Sequence, residues 1–526
     1  MRVYLSGPMG AGKSTLARLL GARLDREVVD IDARIEARAG ISIEAIFAAS
    51  GEASFRKLER EEAEALMASP GDEIVALGGG AVLDRALRHA LLDDGLVITL
   101  LASPEELARR LGRGEGRPLL AGGDLRARLG RLLEQRADAY AECHATLRSD
   151  ALDPEAALER IAALLESPPI AMPLGQRTYG VHVQAGGRAA IAAPMREDAG
   201  RVCLVVTDEN VRRPWGLEAC ERLRSAGLVP IEIVLEPGEE HKHLRSVERI
   251  WDAGLEGGID RGGWILGVGG GVVGDLAAFA ASTLLRGVRL AQLPTSLLAM
   301  VDSSVGGKTG FNRERGKNLV GTFYQPQRVI CDVEVLETLP LRERRAGMAE
   351  IVKSAWLDSE QAVAALERDA AALHAGEREA TERAIRRSIA LKARVVRDDE
   401  LEAGGRMALN LGHTVGHALE ARGAYRQLRH GEAVALGMVA AFRVASALAG
   451  FDRPSQERLE RLERLLHALG LPADLDAHLD DEALSFLSAD KKRAGGSIHF
   501  VRPGAPGRTR VQLIDEASLR AALAPR

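Results

Sequence analysis

Hydrophobic and polar positions alternate along the first 165 residues in blocks whose period changes. The short apolar runs VYLSG, IVALGGG and LVITLL have the length and composition of buried β-strands. Between them lie longer segments such as LARLLGARL and FRKLEREEAEALMA, in which apolar residues recur at helical spacing among charged ones. Strands that alternate with helices predict a parallel sheet with helices on both faces.

This pattern breaks in the segment ESPPIAMPLGQRTYG, which has three prolines, two glycines and no helical period. Strand-like runs resume in RVCLVVTDEN, LVPIEIVLEPGEE and GGWILGVGGGVVGD, and helical periods dominate from about Pro340 onward. We therefore predict an α/β domain at 1–167, a linker at 168–178, a second α/β domain at 179–335 and a mostly helical domain at 336–526.

Composition narrows the class of protein. The 526 residues are 46% hydrophobic and 28% charged, with a net charge of -5, so no general attraction to nucleic acid or anionic lipid is expected. The four cysteines are scattered without a CxxC pair, which favours a reducing compartment. MRVYLS leads directly into a glycine-rich turn, and no apolar run reaches about 18 residues; we expect no signal peptide, no membrane span and a cytoplasmic location.

The first candidate site is GPMGAGKST at 7–15, which fits GxxxxGK(S/T) between a predicted strand and a predicted helix. Glycines let consecutive backbone N–H groups face phosphate oxygens, and the helix N-terminus adds its dipole. We expect Lys13 to reach the β- and γ-phosphates of a nucleotide and Ser14 to bind Mg²⁺; an ordinary glycine-rich turn is the alternative. The predicted nucleotide-binding residues are Gly10, Gly12, Lys13, Ser14 and Thr15.

Two aspartates in VVDIDARIE, Asp30 and Asp32, end the next predicted strand with side chains on the same side. One is suited to hold Mg²⁺ through water and the other to orient an acceptor hydroxyl. A helix-capping role for one of them is the alternative. Three arginines, Arg56, Arg117 and Arg136, are individually ambiguous because most arginines are solvated.

The segments GISIEAIFAASGEASFRKLE, LGGGAV, GRPLLAG and EQRADAY follow in this order, and about residues 1–165 resemble shikimate kinase. The resemblance implies an α/β P-loop domain that uses ATP with Mg²⁺ to phosphorylate shikimate, under a lid formed by RGEGRPLLAGGD. A carboxylate substrate also calls for guanidinium groups. The residues implied are Lys13, Asp32 and Arg117 for catalysis, Ser14 and Asp30 for Mg²⁺, and Asp32, Arg56, Gly78, Gly79, Gly80 and Arg136 for shikimate.

A second glycine-rich segment, GVGGGVVGDLAAF at 267–279, follows a predicted strand and opens a predicted helix. Close helix–strand packing is a plain alternative for such a run. Asp208 and Asn210 end an earlier strand, and PGEEHK supplies Glu239 and Lys242. These four side chains are suited to hold ribose hydroxyls and to position a dinucleotide.

Farther on, 286–326 places Arg286, Asp302, Lys308, Lys317 and Asn318 among small apolar residues. Surface lysines usually stand in charged stretches, and Lys308 in SSVGGKTG does not. We interpret these cations as aimed into a pocket for an anionic substrate, with solvated loop lysines as the alternative.

Histidines mark a candidate metal site. NLGHTVGHALE places His413 and His417 one helical turn apart, RHGEA carries His430, and GMAEIVKSA carries Glu350 with Lys353 three residues later. One carboxylate with two neutral imidazoles is a ligand set for a catalytic divalent ion such as zinc. Spacing alone would pair His413 with His417, and a buried histidine is the alternative for any one of them.

The segments GGGVVGD, PTSLLAMVDSSVGGK, GKN, AEIVK, LNLGHTVGHALE and HGEAVALGM occur in the order found in 3-dehydroquinate synthase, and about residues 175–526 resemble that family. The resemblance implies conversion of 3-deoxy-D-arabino-heptulosonate 7-phosphate to 3-dehydroquinate, with NAD⁺ regenerated in each turnover. It assigns the metal, zinc or cobalt, to Glu350, His413 and His430. His417 is then a substrate-facing residue that assists proton movement.

The same resemblance also implies which residues bind NAD⁺ and which bind the substrate. It makes Lys308, Lys353 and His417 catalytic. Departures from the family are Leu411 and Val415, where an aromatic is common, and Arg429, where an apolar residue is commoner. The implied NAD⁺ contacts are Asp208, Asn210, Glu239, Lys242, Gly270, Gly271, Asp275, Thr295, Ser296, Asp302 and Lys317. The implied substrate contacts are Arg286, Lys308, Asn318, Lys353, Lys392, Arg406, Asn410, His417 and one of Lys491 and Lys492.

Together the resemblances imply a bifunctional enzyme of aromatic amino-acid biosynthesis, with small-molecule substrates and the homodimer usual for the synthase. One alternative is a metal- and NAD-dependent polyol dehydrogenase in the C-terminal half, which would release NADH; the lysines and arginines disfavour it. Another is a nucleotide-binding sensor with an inactive kinase half, which the complete set of kinase residues disfavours.

Overall fold

The computed structural model describes residues 1–112, 124–193, 195, 200–314, 316–423, 427–448, 456–491 (backbone alone at 488–491) and 497–524. They form two compact units, Met1–Gly180 and Val181–Arg526. Within these ranges, no helix combines the length and the apolar character that crossing a bilayer requires. The residues from Val181 onward are one unit, so the boundary between 335 and 336 stays a prediction.

The first unit contains a parallel sheet that follows the predicted strand–helix alternation. Its strands are β1 (Val3–Ser6), β2 (Val28–Asp30), β3 (Ile74–Ala76), β4 (Leu96–Leu101) and β5 (Ala145–Arg148). Their order in the sheet is β2-β3-β1-β4-β5, and neighbouring strands run parallel. The helices are α1 (Lys13–Leu24), α2 (Ile31–Ala39), α3 (Ile43–Met67), α4 (Arg85–Asp94), α5 (Pro104–Leu111), α6 (Leu125–Gln135), α7 (Ala137–Ala141) and α8 (Pro154–Glu166).

Neighbouring strand residues point to opposite sides of this sheet, and apolar side chains on both sides bury both faces. On β1, Val3 and Leu5 pack into one apolar cluster with residues of α1 and α8, and Tyr4 packs into another with residues of α2, α3 and α4. The strand ends therefore lie between two covered faces. In a parallel sheet this carboxyl edge is where ligands bind.

The second unit contains a second parallel sheet and a helical part. Its strands β8 (Val202–Asp208), β9 (Val229–Leu235), β10 (Trp264–Gly269), β11 (Arg289–Pro294) and β14 (Arg328–Cys331) are ordered β14-β11-β10-β8-β9. The hairpin β12 (Lys308–Arg313) and β13 (Gly316–Phe323) is antiparallel. The helices beside this sheet are α9 (Glu209–Val211), α10 (Leu217–Ser225), α11 (Leu244–Glu256) and α12 (Gly271–Thr283).

After Pro340 the chain is mostly helical, as predicted. The fold-class prediction, a P-loop kinase-like α/β unit joined to a dinucleotide-binding α/β part and a helical part, is confirmed. The antiparallel hairpin of β15 (Ser497–Pro503) and β16 (Thr509–Asp515) was not predicted from the sequence pattern. The helices are α13 (Leu341–Asp358), α14 (Glu360–Ala375), α15 (Arg378–Asp398), α16 (His413–Arg422), α17 (His430–Ala447), α18 (Gln456–Ala468), α19 (Asp481–Lys491) and α20 (Glu516–Leu523).

The segment predicted as a linker, 168–178, has regular structure of its own. Strand β6 (Ile170–Met172) lies inside it, a tight turn follows at 174–178, and β7 (Tyr179–Val183) begins directly afterwards. Prolines and glycines therefore mark a turn and the ends of strands here.

Candidate active sites

The glycine-rich segment after β1 forms a loop that ends at the first residue of α1. Gly10 and Gly12 have φ of 81° and 97°, a region that side chains other than glycine rarely adopt. The Lys13 ammonium folds back over the loop and donates to the carbonyl oxygens of Gly7 (2.9 Å) and Pro8 (3.1 Å). The loop predicted to bind phosphate is thus shaped by glycines, and its lysine is directed back over the loop at the start of α1.

Asp30 caps a helix and also contacts the hydroxyl of Ser14. Its Oδ1 accepts the backbone N–H of Asp32 (3.1 Å) and of Ala33 (3.4 Å), which caps α2. Its Oδ2 accepts the hydroxyl of Ser14 at 2.8 Å. The capping interaction thus directs the carboxylate toward the hydroxyl expected beside Mg²⁺, so the two roles are compatible.

Asp32 is poised as an acceptor in the same cavity. Its Oδ1 is buried and makes no hydrogen bond. Burial and the charge of Asp30 raise the pKa of Asp32, and the charges of Lys13 and Arg56 act in the opposite direction. An oxygen that has lost its water without gaining a partner favours a ligand that donates a hydrogen bond.

Three glycines shape the space beside this aspartate. A Cβ added to Gly78 would lie 2.0 Å from Glu59 Oε1, and one added to Gly80 would lie 2.3 Å from Arg56 Cζ. Arg56 is held by Glu59 at 2.6 Å and by Glu52 at 3.0 Å. The glycines are needed here because two charged side chains occupy the positions where their own would stand.

Gly79 offers its carbonyl oxygen to the opposite wall. It accepts from Arg136 Nη1 at 3.0 Å and from the Tyr140 hydroxyl at 2.6 Å. Burial raises the pKa of Tyr140 although Arg136 acts to lower it, so the phenol stays protonated and donates. Arg136 and Tyr140 therefore fix the glycine segment from the side of α7.

A cavity of about 690 Å³ collects these residues in one place. Gly78 is not among the residues that line it, and Arg117 lies outside the described residues. Sequence reasoning missed Glu59, Tyr140 and Arg110; the glutamate ends the FRKLE segment that had already identified Arg56. The predicted residues that line the cavity are Gly10, Gly12, Lys13, Ser14, Thr15, Asp30, Asp32, Arg56, Gly79, Gly80 and Arg136.

The second site contains a set of donor atoms suited to a metal ion. Glu350 on α13 lies with Oε1 3.7 Å from His413 Nε2 and 4.0 Å from His430 Nε2. The two histidines are the first residues of α16 and α17. Glu350 Oε1 is buried and makes no hydrogen bond, and it lies in one group with a ring nitrogen of each histidine. One carboxylate and two imidazoles fit a divalent ion with open positions.

Each imidazole is oriented by its other nitrogen. His413 Nδ1 lies 3.2 Å from the Leu411 carbonyl oxygen, and His430 Nδ1 lies 3.1 Å from Glu420 Oε2. Both rings therefore present Nε2 toward Glu350, as metal-binding histidines usually do when a partner fixes the tautomer. Sequence reasoning missed Glu420, although it closes the quoted LNLGHTVGHALE segment.

His417 has a different place from His413 in spite of the shared spacing. Its ring centroid lies 5.4 Å from that of His413 and 5.9 Å from that of His430. The two groups able to hold a metal in the described chain are Glu350 with His413 and His430, and His417 with Glu420 and His430. Neither group includes both His413 and His417, so the three-residue groups favour the ligand set that the resemblance implied.

Electrostatics differ between the two predicted ligands. Burial and the charges of Lys353 and His430 hold the pKa of His413 well below its usual range. Burial also acts to lower the pKa of His430, but the bond to Glu420 outweighs it and the pKa is raised. His413 is therefore a neutral imidazole that can offer a lone pair to a metal ion. Glu420 is the group that raises the pKa of His430.

Among the cations predicted for this site, four lysines and one arginine have partners within the described residues. Lys353 pairs with Glu350, Lys392 with Asp302, and Lys308 with Glu402 at 2.6 Å. The remaining pairs are Lys317 with Glu420 at 3.4 Å, and Arg406 with the carbonyl oxygens of Glu400 and Gly306 at 2.6 and 2.9 Å. Arg406 is buried and holds backbone, a role that the sequence did not indicate.

Two predicted substrate residues lie apart from this group. Arg286 is exposed, has φ of 68° and does not line the cavity described next, and Asn410 is likewise exposed outside it. Lys491 is the last residue of α19, and its side chain and all of Lys492 lie outside the described residues. Their substrate contacts stay predictions.

A cavity of about 1470 Å³ extends between the glycine turn at the start of α12 and the histidines. Lys242, buried on its floor, contacts both Asp275 and Asn318. The cavity also includes Asn318, His417 and His430. The predicted NAD⁺ residues that line it are Asp208, Asn210, Glu239, Lys242, Gly270, Gly271, Asp275, Thr295, Ser296, Asp302 and Lys317.

Known proteins resemble this chain in both its N-terminal and its C-terminal part. Family models match shikimate kinase at 9–166, the N-terminal domain of 3-dehydroquinate synthase at 232–346 and its C-terminal domain at 347–493. The 3-dehydroquinate synthase of Gloeobacter violaceus is 46% identical over 343 residues, which is 65% of this chain and 93% of that protein. The Salinibacter ruber synthase is 44% identical over 332 residues, 62% of this chain and 89% of that protein.

A solved structure adds a similar fold. ValA, the 2-epi-5-epi-valiolone synthase of Streptomyces hygroscopicus subsp. jinggangensis with NAD⁺ and Zn²⁺ bound, is 27% identical. It matches 66% of this chain and 95% of its own, with a TM-score of 0.58. The resemblances derived from sequence motifs are confirmed by these findings.

Proposed function

The chain belongs to the 3-dehydroquinate synthase family over its C-terminal part and carries a shikimate kinase domain before it, and we propose that it catalyses both reactions. The first is phosphorylation of shikimate by ATP. The second converts 3-deoxy-D-arabino-heptulosonate 7-phosphate to 3-dehydroquinate and phosphate. The observation that carries the proposal is the presence of two cavities, one lined by the P-loop, aspartate and arginine residues of the kinase site and the other lined by the predicted NAD⁺ residues together with His417 and His430.

In the kinase cavity, the P-loop amides and Lys13 bind the β- and γ-phosphates of ATP, and Ser14 and Asp30 hold Mg²⁺. Asp32 accepts the hydrogen bond of the shikimate hydroxyl that is phosphorylated. Shikimate binds through its carboxylate to Arg56 and Arg136, whose positions are set by Glu59 and by the Gly79 carbonyl oxygen. Phosphoryl transfer needs alignment and charge neutralisation more than covalent help from the protein.

In the synthase cavity, Glu350, His413 and His430 hold zinc or cobalt, which would polarise the hydroxyl and ketone oxygens of the substrate. The residues that line the cavity of about 1470 Å³ would hold NAD⁺, which would supply reversible hydride transfer when bound. Lys308, Lys353 and Lys392 bind the anionic groups of the sugar phosphate. His417 moves a proton near the substrate phosphate.

The test is a pair of assays on one purified chain, with Lys13→Ala as the variant. We expect Lys13→Ala to abolish phosphorylation of shikimate, because the only charge at the centre of the P-loop is removed, and to leave phosphate release from the sugar phosphate within about twofold. Loss of both activities in the folded variant would contradict independent sites. Lasting NADH absorbance at 340 nm in the parent chain would indicate a polyol dehydrogenase instead.

The proposal extends to location and assembly. We place the enzyme in the cytoplasm as a homodimer through its synthase half, with small-molecule substrates as partners. The four cysteines, which are free and buried, support a reducing compartment.

A further inference from the structure

The turn at 174–178 is locked by its own hydrogen bonds. Thr178 Oγ1 donates to the Gly175 carbonyl oxygen at 2.6 Å and accepts the Leu174 N–H at 3.0 Å. Backbone bonds from Arg177 to Leu174 (3.2 Å) and from Thr178 to Gly175 (3.0 Å) close the same turn. Gly175 has φ of 61°, which glycine adopts without the strain that a side chain would introduce. The turn is thus a defined element in the segment predicted as a linker.

This turn is fastened to the residues around helix α7 in the same unit. The N–H of Gly175 donates to Glu142 Oε1 at 2.9 Å. The side-chain amide of Gln176 donates to Asp138 Oδ1 at 3.0 Å. A Cβ added to Gly175 would lie 3.2 Å from Asp138 Cγ, so the approach is close as well as hydrogen-bonded.

Other residues in and beside α7 contact the acceptor cavity. Arg136 and Tyr140, four residues apart, both donate to the Gly79 carbonyl oxygen. Asp138 and Glu142, also four apart, both accept from the turn. Arg136 directly precedes α7 and Glu142 directly follows it, so the short helix and its two flanking residues connect the turn to the shikimate-binding glycines.

Glu142 links the turn to a second support of those glycines. Arg88 Nε donates to Glu142 Oε2 at 2.6 Å, and the same guanidinium contacts the Val82 carbonyl oxygen, two residues after Gly80. Burial acts to raise the Glu142 pKa, but bonds from His89, Arg88 and the Gly175 N–H lower it to about 2, so the carboxylate is charged at neutral pH. The turn therefore adds a hydrogen bond to the charged Glu142 carboxylate, which in turn holds the Arg88 guanidinium beside the acceptor-site glycines.

The turn lies outside every matched family region, since the kinase match ends at residue 166 and the synthase match begins at 232. We propose that the turn at 174–178 is a positioning element of the kinase acceptor site, which holds α7 so that Arg136 and Tyr140 fix Gly79 for shikimate. This inference rests on the proposed kinase function. The segment that joins the two enzymes then belongs functionally to the first.

The experiment measures steady-state kinetics of the full chain with shikimate and ATP varied separately. Gly175→Ala strains the turn and crowds Asp138, and Gln176→Glu places a second carboxylate against it. We expect each to raise the KM for shikimate about three- to tenfold, the scale of one ordinary hydrogen bond, with the KM for ATP within about twofold. Asp138→Asn added to Gln176→Glu restores a donor–acceptor pair and is expected to recover most of the parent KM.

Gly40→Ala is the matched control. Gly40 has φ of 69° in the same unit, and a Cβ there meets no atom within 4 Å, so the variant imposes similar backbone strain without touching α7. We expect its KM for shikimate to be unchanged. An unchanged KM for shikimate in Gly175→Ala and Gln176→Glu, an equal rise of both KM values, or no recovery in the double variant would overturn the inference. A parent chain without shikimate phosphorylation would instead overturn the proposed function.

Discussion

The buried pair of Glu350 and Lys353 gives a sharp prediction about stability and metal binding together. Their side chains are 2% and 3% exposed and in contact, one turn apart on α13. Glu350→Gln keeps the shape of the side chain but leaves the ammonium of Lys353 buried without its counter-charge. Removing one partner of a buried ion pair costs about 3–5 kcal/mol, and we expect the free energy of unfolding of the metal-free second unit to fall by that amount.

Tryptophan fluorescence isolates the relevant unit. All four tryptophans lie beyond residue 180, and Trp356 is fully buried on α13, six residues after Glu350. Guanidinium denaturation followed at this signal therefore reports on the second unit alone. The companion variant Glu350→Gln with Lys353→Met removes both charges, and we expect it to recover most of the loss because no uncompensated charge remains.

The same variant tests the metal assignment. After dialysis against a competing chelator, Glu350→Gln should retain much less zinc per chain than the parent, because the one anionic donor of the set is gone. An unfolding midpoint equal to that of the parent would refute the burial argument. A double variant less stable than the single one would show that the pair is not the source of the cost, and full zinc retention would refute the ligand assignment.

Two further predictions concern histidine and carboxylate chemistry. His417→Ala should keep the metal content of the parent while slowing synthase turnover at least tenfold, as general acid–base residues do; equal metal loss with Glu350→Gln would contradict the separate roles. The pKa of Glu142 is held at about 2 by His89 and Arg88, against an unfolded value near 4.5. Its contribution of roughly 2–3 kcal/mol is therefore complete above pH 4.5 and lost as the pH falls toward 2; Glu142→Gln should be less stable at neutral pH and should flatten this acid limb, measured by circular dichroism.

Local motifs were predicted best because their chemistry is contained in consecutive residues. The P-loop at 7–15 requires a strand, a turn and a helix start, and each leaves a direct mark on the sequence. Asp30 shows the limit of this reasoning. The sequence offered capping and metal roles as alternatives, whereas the structure uses different oxygens of one carboxylate for the cap and for the Ser14 contact.

Sites assembled from distant helices were harder to predict from spacing. His413 and His417 are neighbours on α16, but the group with Glu350 joins His413 to His430 on another helix. Helical spacing describes only one element, so the motif resemblance was needed to choose between the histidines. The role of Glu420 was not predicted because a glutamate near the end of a helix resembles an ordinary surface residue.

Five lysines predicted to bind NAD⁺ or the sugar phosphate are each paired with a carboxylate. The pairs are Lys242 with Asp275, Lys308 with Glu402, Lys317 with Glu420, Lys353 with Glu350 and Lys392 with Asp302. A doubly charged phosphate that binds these lysines must therefore compete with carboxylates for the ammonium groups. A dication bound at Glu350 neutralises one of those carboxylates and leaves Lys353 available to the anion. Metal and sugar phosphate should thus each raise the affinity for the other, since linkage between two sites is reciprocal.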